Sequence, residues 1–274
     1  MALPSKPSEA LVLYDIHTST ACAPNPWKSR LVLNFKGVAY STIWVSLPDI
    51  PKVRRALDVP PCHKNADGTG YYTLPILIDP NTNSKIGDSF DIAVYLQKTY
   101  PDSGAGDLFP HQKLDFVFDR WSIFLGPLSN RKDIGYSDYS NFDTQVEAAF
   151  TAYFALTMEN LPLHPATAEA TKAEYVSRAG LTSWDGFKMR QEDREKMSKS
   201  LHGMLGELGK LFLRDASGPF LLGKQVTYAD FIVGGWLRLM SASLPENEWE
   251  DVRACHGGIF GQLHDGLEKY AEVK

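Results

Sequence analysis

An α/β domain followed by an all-α helical bundle is the fold this sequence predicts, and three observations predict it. Within the first 100 residues, strand-like and helix-like runs alternate in a β-α-β-α order that closes with a hairpin and a helix. Residues 101–112, PDSGAGDLFPHQ, interrupt every periodicity with proline and glycine. Beyond them, apolar residues recur at helical spacing. The reading divides the 274 residues into an α/β domain at 1–100, a linker at 101–112 and an all-α domain at 113–274, each domain long enough to bury its own core.

The elements follow in order. Residues 11–16, LVLYDI, read as a buried strand, and 26–36 as a helix closed by Gly37 in the C-terminal cap position. A second strand at 40–46 precedes a short basic helix at 51–57 and the turn-rich Asn65-Ala66-Asp67-Gly68; the order predicts a parallel pair with a crossover. Residues 75–79, the turn 80–83 and residues 84–86 form an antiparallel hairpin, after which Ile92, Tyr95, Leu96 and Thr99 share one helical face. Past the linker, Leu114, Val117, Phe118, Trp121, Phe124, Leu125 and Leu128 keep the i, i+3, i+4, i+7 spacing of an amphipathic helix. Val146, Phe150, Tyr153 and Phe154 do the same, as do Met197, Leu201, Met204, Leu205, Leu208, Leu211 and Phe212. Residues 161–187 are polar and weakly periodic, and read as a short helix with loops.

Composition narrows the function. With 43% hydrophobic and 22% charged residues the chain is an ordinary globular protein. Its net charge of −5, with basic clusters that are short (Lys52-Val53-Arg54-Arg55) or interleaved with acids (188–199), argues against nucleic-acid binding. No apolar run reaches the roughly 18 to 20 residues of a membrane span, and MALPSKPSEA lacks a secretory apolar stretch, so the reading is cytoplasmic. Cys22, Cys62 and Cys255 have no C-x-x-C spacing and the seven histidines no ligand spacing, which points to neither disulfides nor a metal. Trp44, Trp121, Trp184 and Trp236 read as core.

Four local patterns carry more information. Gly218-Pro219-Phe220-Leu221-Leu222-Gly223-Lys224-Gln225 superficially fits a phosphate-binding loop. It has Gln225 where Ser or Thr belongs, an apolar interior and no preceding strand, so that reading is rejected. Val226-Thr227-Tyr228-Ala229-Asp230-Phe231 instead reads as a capping box with a hydrophobic staple, starting a helix at Tyr228 that runs to about residue 240. Thr73-Leu74-Pro75 is either a cis-proline turn whose backbone can bind an extended peptide or a trans proline opening an edge strand. Asp88-Ser89 either caps the following helix or also offers a carboxylate and hydroxyl to an α-amino acid headgroup.

Taken together, these pieces resemble a cytosolic glutathione transferase over almost the whole chain. Ala23-Pro24-Asn25-Pro26-Trp27-Lys28-Ser29-Arg30, Asn34-Phe35-Lys36-Gly37, Asp67-Gly68 and Tyr71-Tyr72-Thr73-Leu74-Pro75 resemble the fungal-specific class A enzymes, serine-type relatives of the bacterial β-etherases. The resemblance implies a thioredoxin-like first domain with Pro75 in cis and the Leu74 backbone pairing with the cysteinyl part of glutathione, the cosubstrate. It further implies Asp88 and Ser89 at the γ-glutamyl headgroup, and His63 and Lys64 near the glycyl carboxylate. The acceptor pocket would lie between the domains, lined by the loop from His17 to Ala21 and by Phe118, Trp121 and Phe124, and the protein would be a homodimer.

One departure outweighs the matches. Serine-type relatives carry, at the position of Ala23, a serine whose hydroxyl donates to the glutathione sulfur. A thiol of pKa about 8.5 is only about 3% thiolate at pH 7. A hydrogen bond to a charged group, about 1.5 to 3 kcal/mol, lowers that pKa by roughly one to two units, so its loss costs about tenfold to a hundredfold in reactive sulfur. The N-terminus of the first helix, Ser19, Thr20 and the Asn25 amide are candidate substitutes, and Cys22 could instead form a mixed disulfide with glutathione. Two functions follow from the resemblance. One is a transferase that conjugates glutathione to hydrophobic or aromatic electrophiles, detoxifying compounds such as wood- or lignin-derived aromatics. The other is a largely non-catalytic, ligandin-like binder of aromatic or polyphenolic compounds.

Overall fold

The computed structural model describes residues 8–65, 67–119 and 135–274. Strand β1 (Leu11–Ile16) lies parallel to β2 (Tyr40–Val45), with Leu13 opposite Thr42, and the crossover between them is helix α1 (Pro24–Phe35). Helix α2 (Ile50–Ala56) leads to a small separate ribbon, β3 (His63–Lys64) and β4 (Gly70–Tyr71), where the sequence predicts turns. The hairpin of β5 (Ile76–Asp79) and β6 (Ser84–Ile86) forms as expected, and β5 runs antiparallel to β1 with Leu13 opposite Leu77. The sheet order is β2-β1-β5-β6, and α3 (Ser89–Thr99) follows it. This is the thioredoxin-like arrangement.

The helical half contributes α4 (Ser137–Thr151), α5 (Ala168–Arg178), α6 (Gln191–Phe212), α7 (Tyr228–Ser243) and α8 (Glu246–Gly266), the last broken where His256, Gly257 and Gly258 take positive φ. Leu11 and Leu13 on one face of β1 join the large core shared with α1, α3, α4, α6 and α7. On the opposite face, Tyr14 and Ile16 pack against a smaller cluster of Val45, Leu47, Ile50, Val59, Leu74 and Ile76.

Two helical expectations need correcting. Residues 111–119 are not helical; burial alternates along them, with Gln112, Phe116 and Phe118 inside and Lys113, Asp115 and Val117 outside. That is period two, the pattern of an extended segment, and the apolar spacing of 114–118 satisfies both templates over so short a stretch. Trp121, Phe124, Leu125 and Leu128 lie outside the described residues. Tyr153 and Phe154 do not continue α4, which ends at Thr151 before a 3₁₀ turn at Phe154–Thr157.

Helix α1 is enclosed between the sheet and α7, and it brings three cations inside with it. Arg30 Nη2 pairs with Asp15 Oδ2 at 2.7 Å and Nη1 donates to Thr42 Oγ1 at 3.1 Å. Lys36 Nζ donates to the carbonyls of Pro101 (3.2 Å) and Gly106 (2.9 Å). Lys28 reaches the other half of the molecule, donating to Asp143 Oδ1 at 2.8 Å and to Glu147 Oε1 on α4. Burial alone would lower the Lys28 amine, but the two carboxylates hold it above the ordinary lysine value. Helix α7 can lie this close because residue 235 is glycine: a Cβ there would stand 2.6 Å from the Pro24 carbonyl oxygen.

The start of α7 carries the capping box. Asp230 is fully buried; its Oδ2 accepts from the Thr227 amide at 2.7 Å and hydroxyl at 3.0 Å, and its Oδ1 accepts from the Leu221 amide at 2.8 Å. The staple residues Val226 and Phe231 are buried as well. Gly218 to Gln225 thus forms tight turns tied to a helix cap, with bridges Phe220 to Gly223 and Leu222 to Gln225.

Two stability outcomes follow. Lys28→Ala removes the buried cation between the halves and is expected to cost about 3 to 5 kcal/mol in chemical denaturation. Asp230→Ala strips the acceptor from two buried amides and should cost about 3 kcal/mol in the same measurement.

Candidate functional site

The C-terminal end of β1, the start of β5 and the end of β6 lie side by side, because Tyr14 is opposite Ile76 and Leu77 opposite Ile86. Three segments meet there: the entry to α1, Thr73-Leu74-Pro75 and Gly87-Asp88-Ser89. The Leu74-Pro75 peptide is cis. Asp88 caps α3, its Oδ1 accepting from the amides of Phe90 (2.8 Å) and Asp91 (3.2 Å), while the side chain of Ser89 is buried. The second and third of these segments are tied together by Arg54, which the sequence reading did not single out. Its Nη1 donates to the Thr73 carbonyl at 2.5 Å and the Gly87 carbonyl at 3.0 Å, while Nε and Nη2 both donate to the Pro60 carbonyl. The signal existed: Arg54 is four residues from the buried Ile50 on the same helix face.

At the entry to α1, Ala23 is the N-cap residue, with φ −63° and ψ 124° and no side-chain cap bond. Pro24 and Pro26 have no N–H, and the Trp27 amide is spent on the Ala23 carbonyl at 3.1 Å. The anion-binding capacity of this helix end therefore rests on few donors. Asn25 Oδ1 is buried and has no hydrogen-bond partner among the described residues. Of the other candidates, Ser19 donates its hydroxyl to the Pro162 carbonyl at 3.1 Å, and Thr20 is exposed. Cys22 is buried, and burial pushes its thiol up to about 12, so the thiol that the mixed-disulfide expectation needs is shielded in this structure.

The loop after β1 is stitched to the helical half. His17 stacks on His164 with ring centroids 3.8 Å apart, Thr18 bridges Leu163, and the Ser19 amide donates to Pro162 at 2.8 Å. Beside it opens a cleft of about 280 Å³ lined by His17, Thr18, Ser19, Ala21, Trp44 and Val273. Trp44 is thus a correction to the core expectation: it is 37% exposed, with the Arg30 guanidinium 5.5 Å from its ring, because β2 is an edge strand. Trp236 is core, stacked on Phe150, and Trp184 is half-buried. Phe118 does not join His17 in a pocket; it is packed into the core, and Trp121 and Phe124 lie outside the described residues. On the ribbon, His63 stacks on Tyr71 at 4.5 Å and Lys64 is exposed.

The structure also brings in α5. It packs on the 3₁₀ turn Leu47–Asp49 of the α/β half, and the Arg178 guanidinium lies 5.3 Å from the Tyr71 ring centroid with Nη2 3.4 Å from the Tyr72 carbonyl. Thr171, Tyr175 and Arg178 share the inner face of α5 at i, i+4, i+7, a spacing that is legible in the sequence but carries no indication of which domain the helix meets.

Comparison with known proteins agrees with this geometry. The model of the glutathione S-transferase N-terminal domain matches residues 23–99 and that of the C-terminal domain residues 142–270. The glutathione S-transferase-like protein ustS of Aspergillus flavus is 30% identical over 262 residues, 93% of this chain and 87% of that protein. Among solved structures, CsGST63524 of Ceriporiopsis subvermispora, in complex with glutathione, superposes with a TM-score of 0.76 at 28% identity, covering 97% of this chain and 99% of that one. GSTFuA3 of Phanerochaete chrysosporium gives the same TM-score, identity and coverage.

The stacked histidines make the junction acid-sensitive. Burial and, after it, His164 hold His17 below the ordinary histidine value, so the folded state favours its neutral form. A depressed pKa contributes stability above the unfolded value of about 6.5 that is lost as pH falls below it. Hydrogen-exchange protection factors, which correct for the intrinsic pH dependence of amide exchange, are expected to fall at residues 17–21, 163 and 164 between pH 6.5 and 5 in the parent protein and to fall less in His17→Gln.

Proposed function

Because this chain belongs to the glutathione S-transferase family, we propose that it binds glutathione and conjugates it to hydrophobic or aromatic electrophiles in a detoxifying role, with wood- or lignin-derived aromatics among its acceptors. The observation that carries this reading is the meeting of the cis Leu74-Pro75 peptide, the Asp88 cap and the α1 entry, braced by Arg54. In it, the Leu74 backbone pairs with the cysteinyl residue of glutathione, and Asp88 and Ser89 hold the γ-glutamyl ammonium and carboxylate. His63 and Lys64 supply positive charge toward the glycyl end, and the thiol lies at Ala23. The thiol proton leaves to solvent, and the thiolate electron pair forms the C–S bond as the electrophile's leaving group or π-electrons are displaced.

The acceptor side belongs to the same proposal, with His17 at its rim. So do a homodimer, a cytoplasmic address in keeping with three unpaired cysteines, and a domain division at 1–100, linker 101–112 and 113–274. One observation favours a second reading. The bare Ala23 cap, flanked by two prolines, gives the sulfur little local help, which fits a ligandin-like binder of aromatic or polyphenolic compounds.

Turnover separates the two. Saturating glutathione with isothiocyanate and nitroaryl halide acceptors should give a rate above the uncatalysed one; background rates with intact glutathione binding would select the binder. Asp88→Asn keeps a good helix cap but removes the charge facing the ammonium, and is expected to weaken S-methylglutathione about tenfold, or about 1.4 kcal/mol, by calorimetry.

A further inference from the structure

The missing serine leaves an open question of chemistry at the sulfur, and the hydroxyls nearest in sequence do not answer it. Thr18 donates to the Thr20 carbonyl at 2.8 Å, Ser19 is engaged with Pro162, and Thr20 is exposed. Another hydroxyl comes from the opposite half of the molecule. Tyr175, on α5, packs against both apolar clusters, the one that contains Cys22 and the one that contains Leu74. It therefore stands at the seam of the two clusters, on the helix that packs against the 3₁₀ turn Leu47–Asp49. Its hydroxyl has the Cys22 thiol, the Arg178 guanidinium and Tyr71 as neighbours, and no hydrogen bond engages it among the described residues. Arg178, one turn further along α5, is held by Glu174 at 2.8 Å and rests against Tyr71 and Tyr72, so α5 is anchored at this place.

Resting on the proposed use of glutathione, we infer that the Tyr175 hydroxyl donates to the glutathione sulfur the hydrogen bond that Ala23 cannot make. Burial pushes the Tyr175 phenol up, so it stays protonated and acts as a donor and not as a base. The thiol proton goes to solvent and the phenol keeps its own. The neighbouring Arg178 cation adds favourable potential for the thiolate. The donor has thus moved from the α/β half to the helical half.

The test compares the parent protein, Tyr175→Phe, and Tyr175→Phe combined with Ala23→Ser. Ultraviolet difference absorbance reads ionisation of the bound glutathione thiol against pH, conjugation is followed at pH 7, and S-methylglutathione affinity reports on the folded site independently of the thiol. Tyr175→Phe, which keeps the ring, should raise the bound thiol's pKa by about one unit and lower kcat/KM about tenfold, with S-methylglutathione affinity within about twofold. Adding Ala23→Ser should restore both. An unchanged thiol pKa in Tyr175→Phe with binding intact overturns the inference alone. Absence of S-methylglutathione binding to the parent protein overturns the glutathione reading and the inference with it.

Discussion

The burial of α1 is the constraint on which the rest of this structure depends. A helix enclosed by a sheet on one side and α7 on the other cannot send its lysines and arginine to solvent, so each must find its partners inside. Asp15 serves Arg30 from the neighbouring strand, backbone carbonyls of the interdomain segment serve Lys36, and Asp143 with Glu147 serves Lys28 from across the molecule. The pairing of Lys28 couples the two halves: the charge that enters with the α/β half is neutralised by the helical half. Gly235 lets α7 approach closely enough for this enclosure.

This enclosure sets the conditions at the site. The N-terminus of α1 is held in place by its own buried side chains, by Trp27 Nε1 donating to the Ala21 carbonyl at 2.8 Å, and by the loop stitched to residues 161–164. The helix end held in this way supplies little polarity, since two of its first residues are prolines and its cap is alanine. Over the α/β half lies α5, packed against the 3₁₀ turn Leu47–Asp49 with Arg178 against Tyr71 and Tyr72. Arg54 plays the complementary part below, holding Thr73 and Gly87 at a fixed separation with one buried guanidinium.

Local signals were legible wherever they were strong and short in range. β1 at 11–16 and β6 at 84–86 form where alternation and turn residues place them, and Gly37, at φ +59°, closes α1. The capping box is legible because its chemistry lies within four residues. The cis state of Pro75 was one of two readings from the tripeptide, and the resemblance selected it. Residues 114–118 read as helix because four apolar positions, Leu114, Phe116, Val117 and Phe118, satisfy helix and extended templates alike. What decides between them is the packing of Phe116 and Phe118 into the core and the bond from the Phe118 amide to Gln145 on α4 at 2.8 Å.

By itself the sequence determined most of the order of elements, the thioredoxin-like first half, the helical second half, the family and the alanine at position 23. Each of these is written in contiguous residues or in residue identity. Only the tertiary structure decided that Cys22 is shielded, that Trp44 faces outward, that Arg54 turns inward and that Tyr175, on a helix of the second half, packs against the small cluster of the first. Those outcomes depend on which surfaces meet across the interface, and burial, with the charge pairing it demands, is a property of the assembled pair of halves and of no single segment.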